Sequence, residues 1–211
     1  MSIINEINEA MQKGKAKQVK QLIPQALEEG IPAQQILNEG LLDAMSVVGE
    51  KFKNNEVFVP EVLVAARAMN AGTALLKPYL SSEGGESKGK ACIGTVEGDL
   101  HDIGKNLVRM MLEGKGLEVI DLGVDVTAEK FLEAVQNEGV QLVCCSALLT
   151  TTMPNMSKVI DALKAAGVRD SVKVMVGGAP VTPEFAESIG ADAYTPDAAS
   201  AANKAVELLA G

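Results

Sequence analysis

Three groups of residues in this chain are of types that could do chemistry together. The first is Gly94 to Asn106, GTVEGDLHDIGKN, which carries His101, the only histidine in the sequence, two residues after Asp99 and three before Gly104. The second is Ser146 with Thr150, Thr151 and Thr152, and the third is Gly177-Gly178-Ala179. A neutral imidazole is a good ligand for a transition metal, provided a partner on its other nitrogen fixes the tautomer. Asp99 is near enough in sequence to be that partner. The hydroxyls could extend a hydrogen-bond chain or hold a polar tail, and Gly104, Gly177 and Gly178 leave room for a bulky ligand against the backbone. The same spacing also suits an ordinary loop histidine among turn glycines. Spacing suggests a site without naming its ligand.

Elements must bring these groups together. From Ala91 onward, short apolar runs alternate with helical patterns: strands at 91–95, 118–122, 142–146, 173–176 and near 193–194, and helices at 104–113, 128–137, 153–166, 183–188 and 198–209. Such alternation, with strands apolar enough to be covered on both faces, predicts a parallel sheet wrapped by helices. Five strands predict an α/β, flavodoxin-like (Rossmann-like) order of 2-1-3-4-5. The first, third and fourth strands are then neighbours, and all three chemical groups fall on the rim at their carboxyl ends.

The first eighty residues read as helices at 3.6-residue spacing. Ile3, Ile4, Ile7, Ala10 and Met11 form one apolar face, with Ser2 as N-cap and Gly14 as stop. Val19, Leu22, Ile23, Ala26 and Leu27 form another, within which Pro24 should kink or shorten the helix. A third run from Pro32 to Phe52 has Gly40 as its weak point. A fourth follows Val57-Phe58-Val59-Pro60. Short connections predict a four-helix bundle. SSEGGESKGK, 81–90, has no apolar anchor and is expected to be a flexible linker. The organisation expected is a helical cap at 1–80, a linker at 81–90 and a ligand-binding α/β domain at 91–211.

Composition excludes several classes. The 211 residues carry 19 basic and 28 acidic side chains, a net charge of -9 with no local basic cluster, which argues against a nucleic-acid partner. No apolar run approaches the ~18 residues of a membrane span and no leader precedes the first helix, so a cytoplasmic protein without a membrane partner is expected. Cys92, Cys144 and Cys145 fall in the apolar runs, an odd number without framework spacing, and are read as buried thiols. A zinc site would need about four convergent ligands, and the chain has neither CxxC nor a second histidine.

The motifs also resemble a known family. Asp99-Leu100-His101-Asp102-Ile103-Gly104 is similar to the Asp-x-His-x-x-Gly signature of cobalamin-binding domains. Ser146-Ala147-Leu148 matches their Ser-x-Leu, and Gly177-Gly178 their Gly-Gly pair. Upstream, Met45-Ser46-Val47-Val48-Gly49-Glu50-Lys51-Phe52 and Glu56-Val57-Phe58-Val59-Pro60-Glu61 look like the helical cap of corrinoid methyl carriers. From about residue 10 onward the chain thus resembles the corrinoid proteins of methyltransferase systems and the cobalamin module of methionine synthase.

The resemblance implies cobalamin, in its methylcobalamin form during turnover, bound base-off and His-on, with His101 as the lower ligand of cobalt. Asp99 would orient His101 and Thr152 would complete a relay, threonine standing where some relatives carry serine. Gly98, Asp102, Ile103 and Gly104 would line the cofactor, while Ser146, Leu148, Thr150, Gly177 and Gly178 would flank its nucleotide tail. Phe58, Val59, Val62 and Met69 would shield the upper corrin face. Asp99→Asn is expected to leave binding largely intact and shift the cobalt redox balance. The implied function is a methyl carrier in one-carbon metabolism, a component of an enzyme system without a further catalytic domain of its own. Its partners would be a substrate-specific methyltransferase, a second methyltransferase acting on a thiol or pterin, and a reductive activation protein. A cobalamin-responsive regulator, the small subunit of a cobalamin-dependent mutase and a bare flavin-binding domain are the alternatives.

Overall fold

The computed structural model describes residues 2–83 and 87–210. It divides into two compact units, Met1–Glu86 and Ser87–Gly211. In the first, α1 (Ile3–Gln12) is capped by Ser2, whose hydroxyl accepts the Asn5 N–H, and Gly14 leaves it at a φ of 64°. Helix α2 (Ala16–Glu28) runs through Pro24 without ending. A proline there removes one backbone hydrogen bond. The burial of Val19, Leu22, Ile23 and Ala26 around it offsets the loss, so the helix is not shortened at Pro24.

The third rod is continuous but changes pitch. Helix α3 (Ala33–Gln35) passes into a π-helical stretch, Ile36–Leu42, and then into α4 (Asp43–Lys53). Gly40 lies in the π stretch, where a β-carbon would stand 3.0 Å from the Ile7 side chain. The wider turn rephases the apolar positions, so that Ile36, Leu41, Leu42, Ala44, Met45 and Val48 are all buried. Helix α5 (Val59–Glu83) has Pro60 in its first turn, where no intrahelical N–H is needed, and the Glu61 carboxylate accepts the Phe58 N–H at 3.0 Å. Val62, Ala65, Ala66, Met69 and Leu76 form its buried stripe. It packs on α2 and α4, giving the expected bundle.

The segment expected as a linker, 81–90, overlaps described elements at both ends. Ser81–Glu83 belong to α5 and Lys90 opens β1 (Lys90–Val96). Ser87 and Lys88 are tied to the second unit, the Ser87 hydroxyl accepting the Glu118 N–H and the Lys88 N–H donating to the Gly116 carbonyl. Residues 84–86 lie outside the described residues.

In the second unit β1, β2 (Glu118–Val126), β3 (Leu142–Ser146), β4 (Lys173–Gly177) and β5 (Ala193–Tyr194) form, among the described residues, one five-stranded sheet. Its order is β2-β1-β3-β4-β5 and all pairings are parallel, as the alternation predicts. Helices α6 (Ile103–Glu113), α7 (Ala128–Glu138), α8 (Pro154–Ala165), α9 (Pro183–Ile189) and α10 (Ala198–Ala210) connect and cover it. The central strands are buried, and Cys92, Cys144 and Cys145 are free thiols within them. Burial pushes the Cys92 thiol up to about 12, so it packs as a small neutral hydrophobe. The register aligns Thr95 with Ser146 and Ser146 with Gly177, which sets the three chemical groups side by side on the carboxyl rim. Among the described residues no helix is long and apolar enough to cross a membrane.

Candidate functional site

The loop between β1 and α6 is held at nearly every peptide from Glu97 to His101. The Glu97 carbonyl accepts from the Asn155 side chain at 2.7 Å, and the Gly98 N–H donates to Asp125 Oδ1 at 2.7 Å. The Asp99 N–H donates to the Val96 carbonyl and the Asp99 carbonyl accepts the Asp125 N–H at 3.0 Å. The buried Thr95 hydroxyl donates to the His101 carbonyl at 2.8 Å. Gly98 turns the loop at a φ of 80°.

Asp99 is wholly buried and accepts five hydrogen bonds. Its Oδ1 takes the His101 N–H at 3.1 Å and lies 2.7 Å from His101 Nδ1. Its Oδ2 takes the N–H groups of Leu148 and Leu149 at 2.8 and 3.2 Å, and lies 2.8 Å from Thr152 Oγ1. The Thr152 hydroxyl also lies 2.9 Å from the Leu149 carbonyl. It has one proton, and the carboxylate is the stronger acceptor, so that proton goes to Asp99. Burial acts to raise the carboxyl pKa, but the Leu148 N–H, the His101 ring and N–H and the Thr152 hydroxyl outweigh it and hold Asp99 well below the usual carboxylate range.

An ionised Asp99 can only accept, so Nδ1 of His101 carries a proton, and in the neutral ring Nε2 presents the lone pair. The ring itself is half exposed, at 50%. A fixed tautomer with an open Nε2 is the arrangement a histidine metal ligand needs. The loops that hold it also expose large apolar side chains: Leu100 is 72% and Ile103 75% exposed, with Leu148 and Leu149 also exposed. Exposed leucines and an isoleucine in the loops beside an exposed imidazole suit a broad apolar ligand.

The neighbouring residues fall into place unevenly. Asp102, exposed beside His101, accepts from the Asn106 side chain. A β-carbon added at Gly104 would meet nothing within 4 Å, so this glycine does leave open space. Ser146 is partly buried at the end of β3, and Thr150 is exposed one turn later. A β-carbon at Gly177 would make an ordinary contact, 3.6 Å from the Thr195 carbonyl oxygen, but Gly178 has a different reason: at a φ of 135°, its β-carbon would stand 1.8 Å from the Ala147 carbonyl oxygen. The backbones of the β3 and β4 ends touch there, so Gly178 serves their close approach.

Of the four residues expected to shield a cofactor from the first unit, Val62 and Met69 lie in the buried stripe of α5 and serve the bundle core. Val59 is partly buried and Phe58 is 62% exposed. Thr95, Asp125, Asn155 and Leu149 were not legible as site residues. Each acts on a backbone group or through one, which leaves no spacing pattern in the chain.

Comparison with known proteins now bears on the ligand. Residues 89–205 match one family described as a B12 binding domain, and residues 3–77 match a second with the same description. The chain belongs to the B12-binding corrinoid protein family. It is 42% identical over 211 residues, 99% of this chain and 96% of the relative, to a corrinoid protein of Desulfitobacterium hafniense (strain Y51). It is 43% identical over 204 residues, 96% of this chain and 94% of the other, to the trimethylamine corrinoid protein of Methanosarcina barkeri. Among solved structures, the methanol:cobalamin methyltransferase complex MtaBC of Methanosarcina barkeri contains a chain that superposes with a TM-score of 0.89 at 33% identity, covering 99% of this chain and 80% of that one. The half-exposed His101 ring with its Nδ1 held by Asp99, and the exposed apolar side chains of Leu100, Ile103 and Leu148, fit a cobalt corrinoid, whose metal His101 could hold.

Proposed function

We propose that this corrinoid protein is the methyl-carrying subunit of a methyltransferase system, binding cobalamin base-off and His-on. The observation that carries this reading is the Asp99–His101 pair, 2.7 Å apart, with Nδ1 occupied and Nε2 free for cobalt. When bound, the corrinoid supplies a cobalt ion that can hold a methyl group between two transfers. The chain's own residues do the rest. His101 would hold the metal through Nε2, while Asp99 orients the imidazole and keeps the Nδ1 proton in place. Thr152 and the Leu148 and Leu149 N–H groups keep Asp99 ionised. Leu100, Ile103 and Leu148 would exclude water from the bound corrinoid on the His101 side. Ser146, Thr150, Gly177 and Gly178 would flank the path we assign to the nucleotide tail.

The partners follow from this role. A substrate-specific methyltransferase, working on a methylamine or on methanol as the relatives' names indicate, would load the carrier. A second methyltransferase acting on a thiol or a pterin would unload it, and a reductive activation protein would restore the carrier after oxidation. The thiols of Cys92, Cys144 and Cys145 suit a reducing, cytoplasmic setting. Reconstitution tests the reading: cobalamin-loaded protein mixed with a trimethylamine, dimethylamine or methanol methyltransferase is expected to take up isotopically labelled methyl groups from one donor. Failure to accept methyl from any of these enzymes, with cobalamin bound and reduced, would contradict it.

A further inference from the structure

Strand β2 ends in two bulges. From Ile93 to Gly94 on β1 the partner positions jump from Asp121 to Gly123, and from Gly94 to Val96 they jump from Gly123 to Val126. Each jump leaves one extra residue on β2, and two left-handed residues lie at these slips, Gly123 with a φ of 90° and Asp125 with a φ of 53°. Glycine adopts such a φ freely. Aspartate tolerates it better than most residues, yet it still keeps that conformation only where surrounding contacts hold it.

Those contacts run to the histidine loop. Asp125 Oδ1 accepts the Gly98 N–H at 2.7 Å, and the Asp125 N–H donates to the Asp99 carbonyl at 3.0 Å. Both peptide groups flanking the Gly98–Asp99 step are thus tied to one residue of β2. On the opposite side, Asp99 and Glu97 are held by Leu148, Leu149, Thr152 and Asn155. We infer that Asp125 is a positioning residue for His101: the left-handed bulge at the end of β2 clamps the backbone from which Asp99 springs, and Asp99 in turn fixes Nδ1 of the ring. The inference rests on the reading of His101 as the cobalt ligand. Bulges beside functional loops commonly re-aim a residue in this way.

Two substitutions separate the contributions. Asp125→Gly accepts the left-handed φ and keeps the N–H but removes the carboxylate from Gly98. Asp125→Asn keeps both an acceptor oxygen and tolerance of the φ. Protein labelled with 15N-histidine is loaded with cobalamin and reduced to the Co(II) state, and the share of cobalt bearing a protein nitrogen is read by electron paramagnetic resonance. In Asp125→Gly the ratio of nitrogen-ligated to unligated cobalt is expected to fall about tenfold, the range seen when groups supporting a metal ligand are lost. Asp125→Asn should restore most of it, and the thermal midpoints of the cobalamin-free proteins should stay close.

A wild-type ratio in Asp125→Gly overturns the inference while leaving His101 as ligand, whereas a wild-type protein without the nitrogen signal overturns the reading beneath it. Loss of ligation in Asp125→Asn as severe as in Asp125→Gly also overturns the clamp. Hydrogen exchange of the wild-type protein gives a check independent of any variant's folding. The Gly98 and Asp125 amides should be protected, and exchange at unprotected rates would mean that no clamp exists.

Discussion

Asp99 gathers donors from both sides of the rim, and this makes its chemistry easy to break. Each carboxylate oxygen accepts only, from the His101 N–H and ring on one side and from Leu148, Leu149 and Thr152 on the other. An asparagine would turn its NH2 toward one of these donor sets whichever way it were placed. Asp99→Asn is therefore not the gentle probe that the sequence suggested, and it should destabilise the cobalamin-free protein by about 1–3 kcal/mol in urea unfolding. The pH dependence has a definite sign. A carboxyl held below its unfolded value contributes stability that is present above the ordinary aspartate range, near ~3.9, and is lost as pH falls toward the folded value. Wild-type protein should accordingly lose more stability between neutral pH and acid than Asp99→Asn does, measured by urea midpoints at each pH. Asp99 and His101 were legible from type and spacing because both work through side chains two residues apart. Thr95 and Asp125 were not, since one grips a carbonyl and the other acts from a bulge that no periodicity announces.

The elements separate a glycine that faces open space from one that holds the backbone. Gly178 stands where the ends of β3 and β4 press together, and Gly104 stands at the start of α6 facing open space. Gly178→Ala should cost at least ~2 kcal/mol, because it combines a left-handed φ with a backbone clash. Gly104→Ala should leave the fold intact or raise stability by up to ~1 kcal/mol, since alanine favours the helix, while weakening cobalamin retention on gel filtration. Equal effects of the two on the cobalamin-free fold would contradict this division. The strand order was legible because each buried strand is a short apolar run between helical patterns. The passage of α2 through Pro24 and the π stretch around Gly40 were not, because neighbouring burial decided both against local preference.

At the scale of the molecule, the chain is two units, each with its own buried apolar core. The core of the second runs from Cys92 to Ala186 without a residue of the bundle, so residues 87–211 produced alone should fold with a cooperative thermal transition. Phe58→Ala in the full chain should change stability by no more than ~0.5 kcal/mol, as expected for an exposed side chain, and any effect on cobalamin reactivity would then report function. The central claim is that His101 holds the cobalt, and the sequence offers a direct route to it. Because His101 is the only histidine, growth on 15N-histidine labels one imidazole in the whole protein. In the Co(II) state of the cobalamin-loaded protein, a 15N ligand splits each cobalt line into a doublet, whereas the 14N base of cobalamin splits it into a triplet. The account predicts the doublet, lost in His101→Ala; a triplet, or unsplit lines in the wild-type protein, would contradict it.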